Sequence, residues 1–161
     1  MHDMLVRLYA LPDLGPVLAD CASAQVTVRR ALTAEKATVT TWARTHFPNS
    51  VAEVESAFCR LPVSCFIATR DRQILGFACY DATAPNFFGP EGVAENARGQ
   101  GIGKALLLAA LHAQRAQGYA YAIIGGVGPA AFYAKVVGAV DIADSTPGIY
   151  ADMLPRNIPA T

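Results

Sequence analysis

The sequence predicts a mixed α/β fold built around one sheet, and two observations lead to it. Predicted strands and helices alternate along the chain, with helices early and late and a β-hairpin between them. Hydrophobic residues make up 53% of the 161 residues and charged residues only 16%, which gives enough apolar surface for one sizeable core. The length suits one core rather than two. We therefore expect residues 1–161 to form a single domain.

The first third of the chain predicts two strands and three helices. Short β-branched or apolar runs predict strands at residues 4–9 and 26–30. Helices are predicted at residues 17–24, 33–46 and 50–60. Thr33 is the expected N-cap of the second helix, and Asn49 or Ser50 that of the third. Pro48 ends the second helix, because the residue before a proline avoids the helical conformation.

The rest of the chain predicts a hairpin followed by alternating strands and helices. The hairpin joins strands at residues 63–69 and 74–80 through a turn. Residues 86–94 are extended, and the proline of Gly89-Pro90 predicts a bulge or a sheet edge there. Helices are predicted at residues 101–117 and 129–137, ended by Gly118 and Gly138. Strands are predicted at residues 119–124, 139–142 and 148–154.

Charge and cysteine content exclude several classes of protein. Thirteen basic residues balance thirteen acidic ones, so we expect no nucleic-acid partner and no anionic membrane partner. No apolar run approaches the roughly 20 residues of a membrane span, and no signal peptide is expected. None of the four cysteines lies in a zinc-like spacing, so no metal is expected. Cys59, Cys65 and Cys79 have apolar neighbours, which predicts buried free thiols and a cytoplasmic protein.

The low fraction of charged residues also predicts self-association. Soluble domains usually carry about a quarter of charged residues. The predicted first strand and the apolar last strand are the candidate surfaces. We therefore expect a homodimer.

A glycine cluster, Arg-Gly-Gln-Gly-Ile-Gly at residues 98–103, opens the strongest predicted helix. Glycines between a strand and a helix let a phosphate approach the backbone, and the N–H groups at the helix start then bind it. The cluster is not a Walker A loop, because that motif needs glycine where Arg98 stands and serine or threonine where Ala105 stands. It is not a dinucleotide fingerprint either, since neither Lys104 nor Leu106 supplies the third glycine.

The spacing of Arg98, Gly101 and Gly103 resembles the pyrophosphate loop of the GNAT superfamily of N-acetyltransferases. The longer string at residues 92–107 is similar to the same family motif, and residues 131–139 resemble its Phe-Tyr segment. The resemblance covers roughly residues 26–154 and leaves residues 1–24 as an N-terminal extension outside it. Residues 87–90 and 119–133 look like one bacterial branch of the superfamily. Gly126, Pro129 and Ala139 depart from the family pattern.

The resemblance implies a mostly antiparallel sheet with a central splayed pair of parallel strands, flanked by helices. It implies acetyl-CoA as the cosubstrate, and an N-acetyltransferase that acts on a primary amine, with a small molecule as the expected acceptor. The implied acetyl-CoA-binding residues are Val93, Ala94, Arg98, Gly99, Gln100, Gly101, Ile102, Gly103, Lys104 and Phe132. Tyr133 matches the family tyrosine that gives a proton to the leaving thiolate. A non-catalytic acyl-CoA-binding or sensing module is the alternative.

The general base stays open at this point. Glu91 lies two residues before Val93, so both side chains point to one face of a regular strand. Glu95 in the following loop, and Tyr80 and Asp81 at the end of the preceding strand, are further candidates. Water is the remaining one.

Overall fold

The computed structural model describes residues 1–155. Its sheet has seven strands in the order β2-β3-β4-β5-β6-β1-β7. The strands are β1 (Met4–Arg7), β2 (Thr27–Arg30), β3 (Cys65–Arg70), β4 (Gln73–Tyr80), β5 (Phe87–Val93), β6 (Tyr121–Ile124) and β7 (Val140–Asp141). All neighbouring strands are antiparallel except β5 and β6, which are parallel. The expected mixed, mostly antiparallel sheet with one parallel pair is confirmed.

Helices cover both faces of the sheet. They are α1 (Leu14–Ser23), α2 (Lys36–His46), α3 (Val51–Ala57), α4 (Ile102–Ala116) and α5 (Ala130–Val137). On one face, α4 brings Leu106, Leu107 and Leu111 into a core shared with α1 and α5. On the other face, α2 and α3 enclose Phe77 and Ile67 in a second core. The result is a three-layer arrangement with the sheet in the middle.

A β-bulge in β5 sets the direction of its side chains. Three residues of β4, from Ala78 to Tyr80, stand opposite four residues of β5, from Glu91 to Phe88. The extra residue lies at Gly89-Pro90, where the sequence predicted a bulge, and Gly89 has a φ of +114°. The bulge lets Phe88 and Glu91 both face α4 although they are three residues apart.

The first strand lies inside the sheet. β1 pairs with β6 on one side and with β7 on the other, with Met4 opposite both Ile124 and Asp141. The following helix, α1, contributes Val17 and Cys21 to the α4 core. The N-terminal extension therefore supplies one strand of the sheet and one helix of the core, although the family resemblance begins only after it.

Four local expectations are wrong. Residues 148–154 form no strand: Gly148–Tyr150 is a 3-10 turn, because Gly148 has a φ of +59° and breaks the extended run. Thr33 is not a helix N-cap. Glu35 instead accepts the Leu32 N–H at 2.8 Å, and a 3-10 turn precedes α2.

The third helix ends at Ala57, not near residue 60. Cys59 is exposed, whereas Cys65 and Cys79 are buried and directly opposite each other.

Within residues 1–155, no helix is both long enough and apolar enough to cross a bilayer.

Candidate active site

The parallel strands β5 and β6 open apart after a very short contact. They pair only at Phe87 with Ile123 and at Phe88 with Ile124. From the bulge at Gly89 to Val93, β5 has no β6 partner. The backbone groups on this side of β5 are therefore available to another molecule.

The start of α4 lies beside this opening and has no side-chain cap. Gly101 is the N-cap residue with a φ of +78°, and Gly99 has a φ of +76°. A Cβ on either glycine would meet no atom within 4 Å, so the left-handed backbone, not crowding, requires glycine there. The first-turn N–H groups of a helix have no partner within the helix. This end of α4 can therefore bind an anionic phosphate.

A cleft of about 480 Å³ joins the opened strand to this helix start. Its walls come from β5, the glycine loop, α4 and α5. The predicted residues among them are Glu91, Val93, Arg98, Gly99, Gly101, Ile102, Gly103, Lys104, Phe132 and Tyr133. Gly92, Ala97 and Pro129 also line the cleft and were not predicted. The structure thus brings most of the predicted site together in one cavity.

Two predicted binding residues lie outside the cleft lining. The Ala94 N–H donates to the Leu75 carbonyl of β4 at 2.8 Å, and Ala94 is buried. Gln100 accepts a hydrogen bond from the Arg70 guanidinium at 2.8 Å through its side chain. Ala94 therefore holds β5 against β4, and Gln100 ties the glycine loop to β3.

Arg98 and Lys104 are the two basic residues of the cleft. Both are exposed. The Arg98 Nε donates to the Val93 carbonyl at 3.2 Å, which orients its guanidinium toward the end of β5. Exposed charges contribute modestly and are weakened by salt, so backbone N–H groups carry more of the phosphate contact.

Glu91 and Tyr133 face each other inside the cleft. The Tyr133 side chain is buried beside Phe88 and Phe132, with ring centroids 6.2 and 5.2 Å away. Within the described chain, the Glu91 Oε1 is buried and has no hydrogen-bond partner. Burial raises the pKa of Glu91 to about 8, and the Tyr133 hydroxyl partly opposes that shift by hydrogen bonding. Burial, followed by the Glu91 charge, raises the pKa of Tyr133 above its ordinary value.

The other candidate bases lie elsewhere. The Tyr80 hydroxyl is buried and accepts a hydrogen bond from Arg30. The Asp81 carboxylate accepts hydrogen bonds from Arg60 at 3.1 Å and from the Asn86 N–H at 2.8 Å. Glu95 is exposed in the loop after β5. None of the three lines the cleft.

A second cavity, of about 600 Å³, was not predicted. It lies on the α3 face of the sheet, beside Phe87 to Pro90 of β5 and Gly125 and Gly126 after β6. Its walls come from five separate parts of the chain, so no local sequence pattern predicts it. The cleft begins at Glu91, the residue after Pro90. The two linings are thus adjacent along β5 and share no residue.

The comparisons with known proteins agree with this fold. The profile of the acetyltransferase (GNAT) domain matches residues 62–136, from before the hairpin to α5. No protein with a curated function matches the sequence significantly. Residues 62–136, just under half of the chain, therefore resemble a GNAT acetyltransferase domain.

Two solved structures are similar to this chain. One is the GCN5-related glucosamine N-acetyltransferase region of a fungal multi-domain β-N-acetylglucosaminidase, with a TM-score of 0.72 and 14% identity. The other is the GCN5-related N-acetyltransferase from Sphaerobacter thermophilus, with a TM-score of 0.62 and 18% identity. Each match covers 88% of this chain, but only 19% and 48% of those two chains. At these identities the likeness concerns the fold.

Proposed function

We propose that the protein transfers the acetyl group of acetyl-CoA to a primary amine on a small molecule. One observation carries the proposal: a parallel strand pair opens beside an uncapped, glycine-built helix start. The open strand suits an extended arm with amide groups, and the helix start suits a pyrophosphate. The match to the GNAT domain supports the same activity.

The residues present fit acetyl-CoA. The N–H groups of Ile102, Gly103 and Lys104 at the start of α4 would hold the pyrophosphate, in the space left by Gly99 and Gly101. The Val93 strand would bind the amides of the pantetheine arm through its backbone. Phe132 contributes an apolar wall to the same cleft. Acetyl-CoA supplies the acetyl group as a thioester.

In the overall reaction a C–N bond forms, the C–S bond breaks, the amine loses a proton and the sulfur gains one. Tyr133 is the proposed donor of the proton that sulfur gains. Its side chain lines the cleft, and its raised pKa keeps the phenol protonated at neutral pH. The raised pKa also makes this phenol a weaker acid, so its place in the cleft, more than its acidity, supports the role.

Glu91 is proposed to resupply Tyr133 with a proton. A carboxyl group with a pKa of about 8 is mostly protonated at neutral pH, so it can donate. Its position in the cleft next to Tyr133 favours proton supply to the phenol. Water remains the proposed acceptor of the amine proton.

The activity is tested in two measurements. Acetyl-CoA should raise the melting temperature of the protein, because a ligand that binds only the folded state stabilises it. A thiol-release assay with a panel of primary amines should then show amine-dependent release of free CoA. A melting shift without release from any amine would instead indicate a non-catalytic acyl-CoA-binding module. The absence of both would contradict any acyl-CoA function.

The cytoplasm is the proposed location. Cys21, Cys65 and Cys79 are buried free thiols. Thiols of this kind persist in a reducing compartment.

A further inference from the structure

The Glu91 carboxyl group lies in the cleft wall without a charged partner. Among residues 1–155, its Oε1 atom is buried and accepts no hydrogen bond, and no Lys or Arg forms an ion pair with it. On the neighbouring strand β4, the residue opposite Glu91 is Ala78, which has no polar side chain. A carboxylate in such surroundings is costly, so the fold favours the neutral acid.

The other ionisable side chains of the cleft do not change this balance. From α5, the Tyr133 hydroxyl stabilises the carboxylate only in part, and burial raises the pKa of this phenol, which keeps it neutral. Arg98 of the glycine loop and Lys104 of α4 line the same cleft, but both are exposed. Their charges act on Glu91 through water, which screens them.

The start of α4 lies next to the same carboxyl group. A Cβ built on Gly103 would lie 3.4 Å from Glu91 Oε1. The Gly103 N–H is one of the groups proposed to hold the pyrophosphate, so the phosphate charge would lie close to Glu91. Two negative charges that are close together and poorly hydrated repel each other strongly. An ionised Glu91 would also interact with the positive end of α4 in place of the phosphate.

We propose that the cleft binds its anionic cosubstrate only while the Glu91 carboxyl group is neutral, and that binding therefore draws a proton from solution onto Glu91. The proposal rests on the proposed acetyl-CoA-dependent function and adds a proton-linked control of the same site. The coupling is reciprocal: a bound cosubstrate holds the proton on Glu91 as firmly as the proton favours the cosubstrate. Binding thereby ensures that Glu91 carries the proton that it is proposed to pass to Tyr133.

The direction of the effect follows from the pKa of Glu91, which burial raises to about 8 in the free protein. Below this pH the carboxyl group is mostly neutral, and above it the group ionises and the site becomes unable to bind. The apparent dissociation constant is the intrinsic constant divided by the competent fraction, so it should rise about tenfold from pH 7 to pH 9. At pH 8, binding should take up about half a proton per bound molecule.

Calorimetry with acetyl-CoA tests both expectations. Titrations from pH 7 to 9 give the affinity, and titrations at pH 8 in two buffers with different ionisation enthalpies give the number of protons taken up. Glu91→Gln places a neutral side chain of the same shape in the cleft at every pH. We expect this variant to keep the affinity that the parent has at pH 7 up to pH 9, and to lose the proton uptake.

Glu95→Gln is the matched control, because Glu95 is exposed just after the same strand and does not line the cleft. It should follow the parent in both measurements. If it behaves like Glu91→Gln instead, the effect comes from the loss of any negative charge in this region, and the inference is wrong.

A second measurement needs no variant. In protein labelled with ¹³C at the glutamate carboxyl carbons, one NMR signal should titrate with a midpoint of about 8. Acetyl-CoA should raise this midpoint by about one pH unit or more, because a nearby phosphate disfavours the ionised carboxyl group. A midpoint that acetyl-CoA leaves unchanged or lowers would overturn the inference.

The outcomes also separate this inference from the proposed function. Binding of acetyl-CoA with the same pH dependence in the parent and in Glu91→Gln overturns the inference and leaves acetyl transfer intact. Proton-linked binding that Glu91→Gln abolishes, without CoA release from any amine, supports the inference and contradicts the acetyltransferase. No binding of acetyl-CoA at any pH overturns both.

Discussion

The environment of Glu91 in the folded protein favours the neutral form of its carboxyl group. It occupies β5 two residues before Val93, in the wall of the cleft, with Oε1 buried. The Cβ built on Gly103 would lie 3.4 Å from this oxygen, so glycine at that position leaves room for the carboxyl group. The residue therefore lies close to both Tyr133 and the start of α4.

Replacing Glu91 should change how stability depends on pH. The pKa of Glu91 is raised from 4.5 to about 8 on folding, so between these pH values the folded chain holds a proton that the unfolded chain has lost. Stability contributed by this group is present below pH 4.5 and is lost as the pH rises toward 8. In urea denaturation, Glu91→Gln should gain on the order of 3 kcal/mol relative to the parent between pH 5 and 8.

Glu95→Gln is the matched control for that experiment, because Glu95 is an exposed glutamate just after the same strand. It removes one negative charge without touching the cleft. If the free energies of unfolding of both variants change with pH from 5 to 8 as that of the parent does, Glu91 is not buried in the way described.

Replacing Tyr133 by phenylalanine should lower turnover by about 10² or more, the usual range for loss of a general acid. Affinity for acetyl-CoA should stay close to that of the parent, and stability should fall by no more than about 1 kcal/mol, the value of one hydrogen bond. Tyr121→Phe, on the exposed side of β6, is the control. Unaffected turnover would assign proton donation to water, and a much earlier melting transition would make the hydroxyl a structural group.

At the scale of elements, the start of α4 gives the sharpest test of cosubstrate binding. Gly101→Val should strain the backbone at a φ of +78° and fill the space beside the first-turn N–H groups. We expect acetyl-CoA to raise the melting temperature of this variant much less than that of the parent. Gly118→Val is the matched control at the other end of the same helix, with a φ of +97° and equally open space. If the two variants bind CoA equally, the phosphate loop lies elsewhere.

Local patterns were sufficient for much of the fold and of the cleft. The hairpin, α4 and the bulge at Gly89-Pro90 follow from residue types and spacing within a few positions. The glycine loop and Tyr133 followed from motifs of the same local kind. The predicted strand at residues 148–154 failed because its apolar residues pack around a turn: Tyr150 lies over Gly125 instead of pairing in the sheet.

Contacts between distant segments could not be predicted in this way. The insertion of β1 between β6 and β7 joins residues more than a hundred positions apart, and nothing in residues 4–7 specifies those partners. The second cavity likewise needs α3, β5, the loop after β6 and residues 146–153 together. The direction of Glu91 toward Tyr133 depended on the same tertiary packing.

At the scale of the whole molecule, the N-terminal segment holds one wall of the second cavity in place. The buried Asp3 carboxylate accepts the Gly126 N–H at 2.8 Å, and Gly126 lines the second cavity. Asp3→Ala leaves that N–H without its partner, so we expect a loss of about 1–3 kcal/mol in chemical denaturation. Asp13→Ala is the control, because Asp13 is exposed and its side chain makes no cap hydrogen bond. Equal stability of the two variants would show that Asp3 does not anchor the loop.

Self-association stays a prediction, with a revised surface. β1 is enclosed by two strands, so it offers no edge, and β7 is the outer strand with Val140 exposed. Ile149, Met153 and Leu154 add exposed apolar side chains in the C-terminal part. Light scattering at micromolar concentration should give twice the 17.0 kDa of one chain, and Val140→Lys on the edge strand should lower that mass. A strict monomer for the parent would contradict the prediction.

The place of β1 also determines when the protein can fold during its synthesis. The ribosome releases residues 4–7 more than a hundred residues before their strand partners in β6 and β7. Until β6 emerges, β1 has no strand to pair with, and its apolar side chains Met4 and Val6 stay available for wrong contacts. Such distant pairing slows folding. A nascent chain halted before β6 would therefore contain the glycine loop and the hairpin but not the complete sheet.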